Sequence, residues 1–382
     1  MSNICNTLSI NINNSNYDNS SILMNKYFNN SSLSIDILCP IHIFNILQST
    51  YTPQSIYTLQ TTYTPQATYT PQTTYTPQII NVDNEQKLII DVFKYYCMIE
   101  INKINDNKNK NKNYKILYTD NYYLDMIIKM LDNNNKWSNL KNDKEYVNKS
   151  IYHYKTIYNK FIFWCNKDIF KNAMHSFNLY YSNKNPTNLL IVDASINNNL
   201  YGEDNIGINP QNKKHKGTKN STIIDKNKFI LSIIIGDTYL HKTKNGRYYK
   251  TLASDIKAID IHLQDLEYIN NKSKYFTILG DKGYKTYNTF KINDKVVHLI
   301  SPDKKNAKKE NLNNKSQNIK LSKHRSKIEH VFSSIKRNSR ICVRKDRRKS
   351  TYMNFMYIAS FMHNIKIYKN SLKNELNINN FI

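Results

Sequence analysis

Glycine is nearly missing from this chain: seven residues in 382, all of them between Gly202 and Gly283. A sequence so poor in glycine elsewhere has few positions suited to left-handed backbone or close chain approach, so strand-and-turn structure is expected in that middle segment. Cysteine is sparse as well. Cys5, Cys39, Cys97, Cys165 and Cys342 show no pair spacing of the metal-binding kind, and their odd, dispersed number excludes a disulfide framework. Long apolar runs are absent. The stretch from Ile35 to Leu47 is broken by Asp36, Pro40 and His42, which excludes a membrane span there. The first residues lack the charged-then-apolar order of a secretory signal, so a soluble intracellular protein is expected. Acids are few: 29 Asp and Glu stand against 55 Lys and Arg, a formal charge of +26.

That charge is unevenly placed. Residues 1–83 hold one basic residue (Lys26) and three acids (Asp18, Asp36, Asp83), a net −2, so the other 299 residues carry +28. Between Arg325 and Lys349 there are ten Lys or Arg and only Glu329 and Asp346 to oppose them. Such a field attracts nucleic acid and releases its counterions, and arginine forks suit phosphate geometry. Asn, Lys, Ile and Tyr abound throughout, as in A/T-rich coding, so part of the lysine excess reads as solvated surface; the clustered arginines do not.

Proline divides the chain further. Four of its eight prolines (Pro53, Pro65, Pro71, Pro77) lie in a six-residue Tyr-Thr-Pro-Gln-x-x repeat over 51–78, where the spacing forbids regular helix and favours an extended linker. Residues 1–84 are therefore expected to be a low-complexity, disordered tail. From Glu85 to about Tyr180 the apolar spacing turns helical, with candidate helices at Leu88–Tyr96, Tyr122–Leu131, Tyr146–Trp164 and Asp168–Tyr180. The last two, split by a short turn, have the layout of a helix-turn-helix. Their aromatics (Tyr152, Tyr154, Tyr158, Phe161, Trp164) read better as core than as stacking platforms for bases.

Two short apolar runs end in an acid: Asn188 to Ser195, with Asp193, and Phe276 to Tyr284, with Asp281 at or near the strand end. Strands are also expected at Ser221–Asp225, Phe229–Gly236 and Lys295–Ile300, with a helix capped by Ser254 and running to about Leu266. Residues 324–336 form a helix. At 100° per residue, Arg325, Glu329 and Lys336 fall within roughly 40° of one another, beside an apolar stripe of Ile328, Val331, Phe332 and Ile335. An i,i+4 Arg–Glu pair is the plain reading of that helix. Two strand-end aspartates and a helical glutamate can also hold two divalent cations about 3.5–4 Å apart, the arrangement that stabilises attacking and leaving oxygens in phosphoryl transfer. Asp237, Asp225 and Asp255 compete for such a role, and their neighbours fit turn and cap positions better.

Asp193, the Gly-Asp-Lys-Gly-Tyr at 280–284 and the Arg-x3-Glu-x6-Lys at 325–336 resemble a DDE transposase, closest in layout to insertion-sequence families four and five. Trp164 to Phe170, Lys214 to Lys219 and Arg337 to Arg348 resemble segments that flank these motifs in the family, and the likeness covers roughly 120–368. Ser322 stands where the family usually has tyrosine, and the nineteen or so residues after Ile300 leave no room for the insertion domain of some family-four relatives. The resemblance implies an α/β fold, a ribonuclease-H-like mixed sheet flanked by helices. It implies a helical DNA-binding region over 85–182, a catalytic domain over 183–370 and a tail at 371–382. It implies cleavage at element ends and strand transfer into target DNA by Asp193, Asp281 and Glu329 with two Mg²⁺ (or Mn²⁺) ions. Arg325, Lys336, Lys282, Tyr284, Arg337, Arg340 and Lys216 are then the expected DNA contacts, and a homodimer is expected because two element ends must meet. A transposase-derived DNA-binding protein, or a nuclease of this fold without strand transfer, is the alternative.

Overall fold

The computed structural model describes residues 82–106, 119–132, 136–143, 147, 153–208, 215–242, 248–252, 257–268, 275–281, 289–292, 295–300 and 315–379. The Tyr-Thr-Pro-Gln repeats lie outside them, as do the Asn109–Asn113 break, Ser254 and Asp255. The chain divides into two units, Met1–Leu88 and Ile89–Ile382. The sheet and every helix from Asp120 onward belong to the second.

Four helices lead in: α1 (Val82–Asp106), α2 (Asp120–Asp132), α3 (Tyr154–Cys165) and α4 (Ile169–Lys184), with a 3₁₀ turn at Trp137–Asn142. In α2, Leu124, Ile127, Ile128 and Leu131 repeat at the i, i+3, i+4, i+7 spacing of a single face and all are buried. The helix expected from Tyr146 begins at Tyr154. His153 precedes it with extended backbone and accepts the Lys155 amide proton on Nδ1 at 3.3 Å, closing the first turn. Phe161, Trp164 and Phe170 are buried, as their core reading requires. Phe161 packs on Phe355, and Phe93 and Phe177 both pack on Phe361. The α3–α4 pair thus shares a core with the C-terminal helix α8 (Lys349–Asn379).

Among the described residues the sheet has ten strands. Its order is β5 (Thr238–Lys242), β6 (Tyr248–Leu252), β2 (Gly207–Ile208), β3 (Lys216–Asp225), β1 (Leu189–Asn199), β7 (Tyr275–Leu279), β9 (Lys295–Ile300), β8 (Thr289–Ile292), with β4 (Ile230–Ile235) beside β3 and β10 (Val343–Arg344) beside β1. At its centre β4, β3 and β1 run antiparallel in turn, and β7 and β9 continue parallel to β1. This is a ribonuclease-H-like mixed α/β sheet flanked by helices, the fold class expected. Helix α5 (Lys257–Asp265) packs on β3 and β4, α6 (Lys315–Ile335) on β1 and α8 on β4, with the short α7 (Ser339–Cys342) between α6 and α8.

Three differences from the sequence-based expectation have local causes. The strand carrying Asp193 does not end there but runs to Asn199, because β3 begins at Lys216 and pairs with it through Asn198↔Gly217. The glutamate helix, expected to start near Ile319, begins at Lys315, and the C-terminal helix, expected over Tyr352–Ile365 from its apolar residues, spans Lys349–Asn379, polar residues extending both. Strand β4, expected to be central from its isoleucine content, pairs with β3 alone among the described residues, and its open side is covered. Asn178 of α4 donates to Ile230 O at 3.1 Å, and Asn364 of α8 both accepts from Ile230 N at 2.8 Å and donates to Ile230 O at 2.7 Å. Among the described residues no helix is long and apolar enough to cross a membrane.

Gly202 lies where a Cβ would meet the Arg344 guanidinium at 2.6–2.8 Å, so that turn needs a residue without one.

On the α5 side of the sheet His262 is fully buried, its Nδ1 2.8 Å from Ser232 Oγ and its Nε2 2.9 Å from Ser221 Oγ. Burial pulls its pKa down to about 3, with Asp265 opposing. His175 is likewise lowered, to about 4, by burial. A histidine held neutral in the fold takes up its proton on unfolding, near pH 6.5. The stability it contributes is complete above that pH and declines as pH falls from 6.5 toward the folded value. Thermal unfolding of the wild type is therefore expected at progressively lower temperature from pH 7 to 5. His262→Gln should unfold with about one proton less uptake and a shallower pH slope. An unchanged slope would count against a neutral buried imidazole.

Candidate active site

Asp193 is the fifth residue of β1. The parallel partner β7 ends at Leu279, opposite Ile191, so Asp193 stands just beyond the parallel ladder. Gly280 N donates to Ile300 O at 2.9 Å and carries the β7–β9 pairing one residue further. Asp281 follows two residues after the end of β7 at Leu279, beyond the last β1–β7 pair. Asp281 is half-buried. Ile191 and Ile278, with no exposed surface, hold the two strands in register beneath the site.

Helix α6 crosses this strand. Ile328, Val331, Phe332 and Ile335 bury its apolar stripe, as the sequence spacing requires. That seating turns the charged flank toward β1. Arg325 Nη1 donates to Asp193 Oδ2 at 3.2 Å and Arg325 Nη2 pairs with Glu329 Oε1 at 3.2 Å, so one guanidinium joins two carboxylates from different elements. The second Asp193 oxygen accepts the Ala194 amide at 2.8 Å. Asp193 is mostly enclosed, with 18% of its side chain exposed, whereas Glu329 is open at 58%. Two turns on, Lys336 Nζ donates to Ser195 Oγ, and to Ile196 O at 3.4 Å. Burial lowers the pKa of this ammonium, with Cys342 opposing. In a strand, residues two apart share a face, so Asp193 and Ser195 offer α6 two anchor points on one side of β1.

Ser195 was not among the residues singled out from sequence. Its position two residues past Asp193 in a strand was the available signal. Of the expected DNA contacts, Arg337 and Lys216 are exposed. Lys282 and Tyr284 lie outside the described residues.

Arg340 corrects the expectation of a uniformly DNA-facing arginine stretch. It is buried, donating to Asp346 through Nε at 3.0 Å and Nη2 at 2.7 Å and lying 4.5 Å from the Phe355 ring centre. Arg344 is buried too, on the Asp204 carboxylate, Thr218 Oγ1 and the backbone carbonyls of Asp204, Asp346 and Arg347. Arg347 and Arg348 are exposed. The stretch therefore splits into arginines that hold α8 to the sheet and arginines that face outward. The competing acids fall as their neighbours implied. Asp225 is buried in the β3–β4 turn, accepting the Asn227 and Phe229 amides, and Asp237 is exposed beside Asn205.

Asp193, Asp281 and Glu329 are an oxygen-only donor set, the chemistry of a hard divalent cation. In this structure Asp193 and Glu329 meet through Arg325, and among the described residues no group of three or more His, Cys, Asp or Glu is gathered closely enough to hold a metal ion. The positive charge between the two carboxylates is the guanidinium.

A family model described as "Transposase DDE domain" matches residues 184–362, a span that holds Asp193, Asp281, Arg325, Glu329 and Lys336. No curated protein and no solved structure matches the chain.

Proposed function

We propose, from the match of residues 184–362 to the family model described as "Transposase DDE domain", that the protein is a DNA transposase that cleaves at the ends of its element and joins the freed ends to target DNA. The observation that carries this reading is the Asp193–Arg325–Glu329 bridge between β1 and α6.

The chain's own residues divide the work. Asp193, Asp281 and Glu329 would hold two Mg²⁺ (or Mn²⁺) ions. When bound, these supply an activated oxygen nucleophile, water for nicking and a 3′-hydroxyl for joining, and charge relief at the leaving oxygen. Arg325 presents a planar fork suited to a phosphate. Lys336, clasped to Ser195 and Ile196, keeps α6 seated on β1 and so sets how far Glu329 stands from Asp193. Its half-buried cation adds to the field drawing phosphate toward the strand. Arg337, Arg347, Arg348 and Lys216 offer exposed charge for the DNA backbone. A dimer that pairs two ends, and the boundary near residue 183 between a DNA-binding and a catalytic part, belong to the same proposal.

The decisive experiment incubates the full chain with Mg²⁺ and DNA carrying the inverted repeats that flank its gene. Nicked ends and covalently joined target products are the expected result. Nicks without joined products would leave a nuclease of this fold, and binding without either would leave a transposase-derived DNA-binding protein.

A further inference from the structure

Arg325 does more here than a surface arginine paired along its helix. Its two terminal nitrogens are divided between carboxylates from two elements, Asp193 of β1 and Glu329 of α6, each at 3.2 Å. A guanidinium is a flat, permanent cation whose separate N–H groups reach two oxygens at once. Without it, two carboxylates facing one another across the β1–α6 junction would repel. We propose that Arg325 is a resident counter-ion of the candidate active site, holding Asp193 and Glu329 at a set spacing until a divalent cation takes its place. This rests on the assignment of those two carboxylates as metal ligands.

Three observations support it. The guanidinium draws on the oxygens a metal would need, Asp193 Oδ2 and Glu329 Oε1, so ion and arginine compete for the same electron pairs. Asp193 Oδ1 is tied to the Ala194 amide, which leaves Oδ2 as the oxygen turned toward α6. Finally, the two carboxylates come from different elements, and the guanidinium is the charge that links them. The side chain can also leave. It is 31% exposed, and its partner Glu329 is 58% exposed, so the fork has water beside it. Arg325 is thus a positioning residue. It opposes metal entry, and once displaced it is available to a DNA phosphate, so loading the site also frees a phosphate-binding group.

The test is Mn²⁺ binding to the full chain without DNA, followed by calorimetry or by the paramagnetic signal of free Mn²⁺. Arg325→Gln should bind Mn²⁺ more tightly than wild type, by about tenfold, equivalent to about 1.4 kcal/mol. Arg325→Lys, a point charge that cannot fork between both acids, should fall between them. A merely structural arginine would give the opposite result, weaker binding in both variants. A second measurement needs no variant: modification of Arg325 by an arginine-specific dicarbonyl, read by mass spectrometry on wild-type protein, should speed up several-fold when Mn²⁺ is added.

Equal or weaker Mn²⁺ affinity in Arg325→Gln, with binding still abolished by Asp193→Asn, overturns the counter-ion role and leaves the metal-site assignment standing. If Asp193→Asn binds Mn²⁺ as well as wild type does, the assignment itself fails and the counter-ion role with it.

Discussion

Asp193→Asn, Asp281→Asn and Glu329→Gln are each expected to abolish nicking of end-bearing DNA while leaving DNA binding close to wild type. The amides keep size and shape but lose the negative charge that a hard cation requires. A metal ion contributes several kcal/mol to charge stabilisation in phosphoryl transfer, and each decade of rate corresponds to about 1.4 kcal/mol, so the loss should be roughly a thousandfold or more. Binding should persist because it depends on cations elsewhere, among them Arg337, Arg347 and Arg348, all exposed. The three substitutions are not equal as tests of folding. Glu329 is open to solvent and Asp193 is enclosed, so Glu329→Gln is the variant least able to act through the fold. Full cleavage by the three variants would remove the catalytic assignment. Full cleavage by Asp281→Asn alone would remove residue 281 from the shared site.

Asp346→Asn should be the most destabilising of the single substitutions considered. The Arg340–Asp346 pair is bidentate, and both side chains are nearly sealed from water, at 3% and 4% exposure. The arginine also stacks on Phe355 and Trp137 and donates to Met130 O at 3.4 Å, so it cannot swing out to recover hydration. Removing one partner from a buried pair leaves an uncompensated charge, a loss of about 3–5 kcal/mol. For a chain of this size each kcal/mol moves the melting temperature by roughly 2–4 °C, so a fall of about 10 °C is expected by calorimetry. Replacing both partners with apolar residues should cost less than either change alone, since no charge is then stranded. Arg347→Gln is the control. Its pair with Glu203 is open to solvent on both sides, and the melting temperature should not move measurably. A wild-type melting point in Asp346→Asn would mean that the Arg340 charge is compensated by some group other than its carboxylate partner.

These two results separate what sequence could and could not tell. Arg340 and Arg347 lie in the same basic run, and composition gives no reason to treat them differently. Burial distinguishes them: the turn at Ser339–Cys342 points Arg340 inward against Phe355, while Arg347 follows Asp346 outward. Lys336 is a similar case. Helical geometry put it on the face of Arg325 and Glu329, but its hold on Ser195 depends on how closely α6 approaches β1.

Other features were legible because they depend only on neighbours in the chain. The apolar stripe of α6, the branched residues of β1 and β7, the Asp225 turn and the buried aromatics of α3 and α4 follow from spacing, propensity and turn chemistry. The order of elements by itself left other α/β sheets open, and the ribonuclease-H-like fold was what the family resemblance implied. The resemblance to DDE transposases rested on the same residues, and the matched family span contains them.

From its residues alone, this protein was committed to helices before a glycine-bearing sheet, to a strongly basic second half, and to three acids spaced like a recombinase motif. Tertiary structure alone decided that β1 continues past Asp193, that two of the arginines turn inward, and that Asp193 meets Glu329 across a guanidinium. The reason is range: turn, strand and helix preferences act over a few residues. The contact between residue 193 and residue 325 exists only because α6, seated by its apolar stripe, crosses a strand 132 positions earlier in the chain.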